Sequence, residues 1–177
     1  MKQETMNRAR YPFAIIAVLL IFACAGCVTN PPPAPHPNAT EIAPAEILGM
    51  DRVVVSTGAD ALQRVRQSHT GGIENVEDLA IIHYHGKNDR FLTLWTTLYR
   101  NEAIANSETE KMVIGIRRFG GDWASTLEET TIEGKIVYRI APDDQPQYFW
   151  VDEDWVFYIV PHNVASDEIP LIIGAIS

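Results

Sequence analysis

Apolar positions change period along this chain, and the changes mark its elements. Residues 11–23 form one long apolar run, and residues 28–46 show no periodicity and many prolines. From Ile47 onward short alternating and helical patterns follow one another. Arg52 to Ser56 is rich in β-branched residues and predicts a strand. Ala59 to His69 places Leu62, Val65 and His69 on one helical face, stopped by Gly71-Gly72. Asp78–His85 and Phe91–Arg100 predict a hairpin turning at residues 86–89. In its second strand Leu92, Leu94 and Leu98 share one face, and Phe91, Trp95 and Tyr99 the other, so this strand is expected at the centre of a sheet covered on both sides.

Glu102 to Phe119 carries Ala105, Met112, Ile116 and Phe119 near a 3.6 period and predicts the domain's main helix, ended by Gly120-Gly121. Thr130–Ile140, with Gly134 inside, reads as a strand or short hairpin. Tyr148–Val151 and Trp155–Val160 read as a hairpin turning at Asp152-Glu153-Asp154, and Ser166 starts a last helix in which Pro170 falls early enough to be tolerated. The expectation is an α+β domain over 47–177: a single antiparallel sheet of about five to six strands with helices packed on one face.

The apolar run has a different meaning. Lys2, Arg8 and Arg10 precede Tyr11–Cys27, and small residues close it before polar Asn30. This is the layout of an export signal, and the run is short against the roughly 20 residues of a spanning helix. Its end, Cys24-Ala25-Gly26-Cys27, resembles the lipobox of prokaryotic lipoproteins, with Cys24 where that family usually has an aliphatic residue. The resemblance implies that 1–26 is a signal peptide and that Cys27 becomes the lipid-bearing first residue of the mature chain. The alternative is an uncleaved N-terminal anchor; either way the bulk of the chain faces outside the cytoplasm at the cell membrane. Residues 27–46 are expected as the lipidated Cys and a Pro-rich tether. The domain beyond looks like small lipoprotein domains of unknown function, a likeness that carries no site residues.

Charge narrows the partners. The leader holds three cations and one anion, leaving 11 Lys and Arg against 22 Asp and Glu, a net −11 beyond it. Such a surface repels phosphate backbones and anionic lipid, so no nucleic-acid partner is expected, and membrane contact is assigned to the N-terminal lipid or anchor. Neither Cys lies beyond position 27, so the domain has no disulfide and no thiol nucleophile.

Candidate chemistry is sparse. His83 and His85 flank Tyr84 and share one face of a strand, about 6.5–7 Å apart along it. Two imidazoles so placed can share zinc or copper if His69, Asp89 or His162 supplies a third ligand; equally, they can be polar residues ending a strand. No other cofactor is expected. Asn38-Ala39-Thr40 is a glycosylation sequon in a segment expected to be exposed. Asp143-Asp144 and Asp152-Glu153-Asp154 could offer oxygens to calcium, but lack the glycine and distal Glu of a calcium loop and suit ordinary turns. Trp95, Tyr99, Trp123, Tyr148, Trp150 and Trp155 make core, or, if a sheet face stays open, a binding surface for an envelope protein or small ligand. No nucleophile elbow, phosphate loop or HExxH helix occurs, so no catalytic residue is assigned. The sequence therefore supports a lipid-anchored extracytoplasmic domain of non-enzymatic binding type, with a metal-binding protein or metal-assisted hydrolase using His83 and His85 as the alternative.

Overall fold

β4 (Phe91–Tyr99) is apolar on both faces, and the fold places it where both faces can be covered. The structure, a computed structural model, describes residues 37–68 and 72–176. Around β4 the chain forms β1 (Glu46–Ile47), β2 (Met50–Thr57), α1 (Gly58–Ser68), β3 (Val76–His85), α2 (Glu102–Phe119), α3 (Asp122–Thr126), β5 (Glu128–Ile132), β6 (Lys135–Ile140), β7 (Gln147–Asp152), β8 (Trp155–His162) and α4 (Ile169–Ala175). All eight strands join one sheet in the order β1-β2-β3-β4-β8-β7-β6-β5, with antiparallel neighbours throughout. The α+β class with one antiparallel sheet is as expected, but the strand number is eight rather than five to six. Two physical details account for the difference. β1 is only two residues long, below the reach of any period, and Glu133-Gly134, both at positive φ, fold 128–140 into two paired strands.

Register divides the sheet cleanly. On one face Ile82, Tyr84, Leu92, Leu94, Trp150, Phe157 and Ile159 are buried in the largest core. The helix α4 covers it with Ile169, Ile172 and Ile173, spaced i, i+3, i+4. On the opposite face α1 lays Ala61 and Val65 over Leu79, Ile81 and Trp95. There α2 lays Ala105 near Tyr99 and Val156, and Val113 over Ile140 and Phe149. Helices therefore pack on both faces, not on one as expected, because the central strands alternate apolar residues to both sides and each side needs a cover.

Residues 39–46, expected within the tether, are instead part of the domain. Ala39, Ala43 and Ile47 are buried against the first face. The Ala39 amide donates to Asp78 at 2.8 Å, and the buried Thr96 hydroxyl donates to the Ala39 carbonyl. Arg52 donates to the carbonyls of Thr40 and Ala43, and the Tyr84 hydroxyl to that of Pro44 at 2.8 Å. Pro44 removes one ladder donor but the segment's carbonyls remain as acceptors, and small alanines let it lie close to the sheet. Composition identifies a stretch that builds no core of its own; it does not prevent that stretch from completing another.

The main helix begins where predicted, with Asn101 as its cap: Asn101 Oδ1 accepts from Ile104 N at 3.0 Å. Its buried stripe is Ala105, Thr109 and Val113, flanked by Met112 and Ile116. Phe119, assigned to the core face from its period, is 82% exposed. Periodicity defines a helix face and not how far along it the covered sheet extends.

Candidate functional site

Where α1 and α2 stop covering the second face, a stretch of sheet is left open. The helix-packed contacts reach Ile81, Trp95 and Tyr158. One step beyond, in register, stand Val53, His83, Thr93 and Val160; two steps beyond stand Asp51, His85, Phe91 and His162. These side chains all point to the same side, since directly paired residues of an antiparallel sheet share a face. Asp51, Val53, His85 and His162 are exposed, and His83, Phe91, Thr93 and Val160 are half-buried.

Phe91 is the middle of this surface. Its ring meets His83 at 4.8 Å and His85 at 5.0 Å between centroids, both edge to face, and His162 at 5.7 Å. His83 and His85 themselves lie 6.0 Å apart with their rings at 70°. Partial burial, and secondarily the neighbouring His85, lower the His83 pKa from its ordinary value, so its neutral form is favoured. At the inner edge Trp95 and Tyr158 pack at 4.8 Å, and the Tyr158 hydroxyl, pushed up in pKa by burial, donates to Gln147 Oε1.

The structure thus brings His83 and His85 together as the period-two spacing predicts. Of the expected third ligands, His162 stands on the same face, but with two strand spacings and the Phe91 ring between it and His85. Asp89 belongs to the β3–β4 loop, where its carbonyl accepts from Asn163. His69 lies outside the described residues. Among the described residues no three His, Cys, Asp or Glu side chains come together as a metal-holding group. Asp51 was missed in the sequence: it is the cross-strand partner of His85, and only the β2–β3 register, with its bulge between Val54 and Ser56, reveals that.

The remaining candidates serve local structure. Asp152 pairs with Lys135 at 3.1 Å, Asp154 is buried and its carbonyl accepts from Tyr99 N, and Asp143 and Asp144 occupy a left-handed turn. Asn38 is exposed, and its Oδ1 accepts from the Thr40 amide, the Thr40 hydroxyl and the Glu41 amide, closing a turn at the start of the packed segment. A concavity of about 270 Å³ lies beside His162 and is lined by Gln145, Tyr148, Pro161, Asn163 and Ile169. Cys27 and the leader lie outside the described residues. No helix among the described residues is long and apolar enough to cross a membrane.

Comparison of the chain with protein families, with curated proteins and with solved structures gives no match.

Proposed function

We propose that this chain is a lipid-anchored extracytoplasmic domain of non-enzymatic binding type, held to the membrane through Cys27 and binding through the uncovered end of its second sheet face. One observation carries the binding surface: both faces of the central strands are roofed, except where Phe91, three histidines and Thr93 stand exposed or half-buried in register. A rigid sheet presenting aromatic and imidazole groups is a preorganised platform, whereas ordinary surface positions of such a sheet are filled by charged or small polar side chains. The anchor rests on the leader's resemblance to a lipobox.

The test of the anchor is metabolic labelling with an alkynyl fatty acid. Label is expected on the native chain and absent from Cys27→Ser, with protease added to intact cells digesting the domain. A labelled Cys27→Ser chain, or a domain protected from external protease, would overturn the anchor or its orientation. A second reading is metal-assisted hydrolysis at the same surface, favoured by the juxtaposed His83 and His85 rings. It requires zinc-dependent turnover of a chromogenic ester that disappears in His83→Ala.

A further inference from the structure

We infer that the outer edge of β2, over Val53–Thr57, pairs with the same edge of a second copy of this chain, antiparallel and about a two-fold axis. β2 runs to Thr57, but β1 reaches only Met50 and Asp51. One further bond, from the Arg52 amide to the Ala45 carbonyl at 3.1 Å, ends the cover. Among the described residues no strand lies outside Val53–Thr57. Backbone groups of alternate residues turn to the same side of a strand, so those of Val54 point outward as those of Arg52 do. The side chains match an edge that is covered in use. Val53, Val54 and Val55 are 49, 44 and 37% exposed, three β-branched residues in a row where an edge left in water normally carries charge or proline. Val53 shares the face of His83 and Val54 that of Ile82, so the edge is apolar toward both faces.

Three observations select a second copy as the occupant. First, the edge complements itself. With the axis through Val54, that residue exchanges both N–H···O bonds with Val54 of the copy, and Val53 meets the copy's Val55. Every ladder in the sheet is antiparallel, so the copy continues the pattern unchanged. Second, the net negative charge of the domain holds copies apart elsewhere, but on β2 Asp51 and Arg52 cancel and Val53–Thr57 carries no charge. Third, the opposite edge of the sheet is guarded. β5 is also exposed, but it carries Glu128 and Glu129, so copies meeting there would bring two carboxylates from each side into one short ladder. One receptive edge and one guarded edge give a closed pair and not a fibre. The bulge between Val54 and Ser56 keeps the shared ladder short, so the pairing is weak and reversible. An axis normal to the sheet leaves the second faces of both copies on the same side, so the pair presents two Phe91 surfaces in one direction.

The experiment uses the untagged full chain in mild detergent and reads its mass by sedimentation equilibrium over a range of concentrations. A monomer–dimer equilibrium is expected. Val54→Lys sets two like charges face to face on the axis and should weaken the dimer by about tenfold or more, with the urea midpoint of the domain unchanged. Val54→Thr, still β-branched, should dimerise as the native chain does, and so should Thr131→Lys on the β5 edge. Hydrogen exchange of the unmutated chain reads the same contact without relying on any variant's folding. Amides of residues 52–57 should slow as concentration rises, while those of 128–132 should not. Native-strength dimerisation of Val54→Lys would place the contact elsewhere, in the leader for example, and overturn the inference. Joint slowing of 52–57 and 128–132 would mean an open β2-to-β5 array and overturn it too. A chain that stays monomeric at its highest soluble concentration, with 52–57 slowed only when a different protein is added, would assign the edge to another occupant and equally sink the pairing.

Discussion

Tyr84 shows how much one side chain can do between two elements. It is fully buried in β3, and its hydroxyl donates to the Pro44 carbonyl of the segment lying across the sheet. Burial pushes its pKa up to about 12, against the pull of the nearby Arg52. Tyr99, buried beside Glu108, is likewise pushed up to about 12. Since each phenol is harder to ionise folded than unfolded, the folded state binds more protons between the two pKa values. The associated stability is fully present below about pH 10, the unfolded value, and is lost as pH rises through about 12. With Tyr158, also raised by burial, ultraviolet titration should therefore show at least three tyrosines that ionise together with alkaline unfolding. Tyr84→Phe should cost about 1 kcal/mol in urea denaturation at neutral pH and leave one late tyrosine fewer. An unchanged number of late tyrosines in that variant would mean that the burial of Tyr84 is not what delays its titration.

At the scale of elements, α2 carries an apparent defect that makes a sharp prediction. Thr109 sits in the middle of its buried stripe, and its hydroxyl has no hydrogen-bond partner among the described residues. Thr109→Val keeps the shape, removes the stranded hydroxyl and should stabilise the domain by about 1 kcal/mol, seen as a higher urea midpoint at unchanged slope. A lower midpoint would show that the hydroxyl finds a partner in solution. The same element marks the boundary of what the sequence makes legible. Its length and its Ala105–Ile116 face follow from period, and so do β3, β4, β7 and β8. Phe119 and Asp51 do not. Whether Phe119 is covered depends on where the sheet beneath ends, and whether Asp51 joins His85 depends on a register shifted by a bulge. Both are long-range facts with no signature in a window of neighbouring residues. The His83–His85 pair was legible because both residues lie on one strand, within reach of a two-residue period.

For the whole molecule the decisive question is where the domain begins. A proline-rich stretch ahead of a globular pattern argues for a boundary near Ile47, yet the contacts carry the domain back at least to Ala39. If the segment is a structural part, cutting within it should be costly. A chain starting at residue 48 loses the burial of Ala39, Ala43 and Ile47, together with β1. It also strips Asp78, Thr96, Arg52 and Tyr84 of their partners, two of which (Thr96 and Tyr84) lie fully inside. One isoleucine and five hydrogen bonds together amount to on the order of 7 kcal/mol, comparable with the whole stability of an ordinary domain. Residues 37–177 should therefore melt cooperatively at the temperature of the full chain. Residues 48–177 should unfold far lower, or bind a hydrophobic dye without a cooperative transition. Equal melting of the two would return residues 37–47 to the tether.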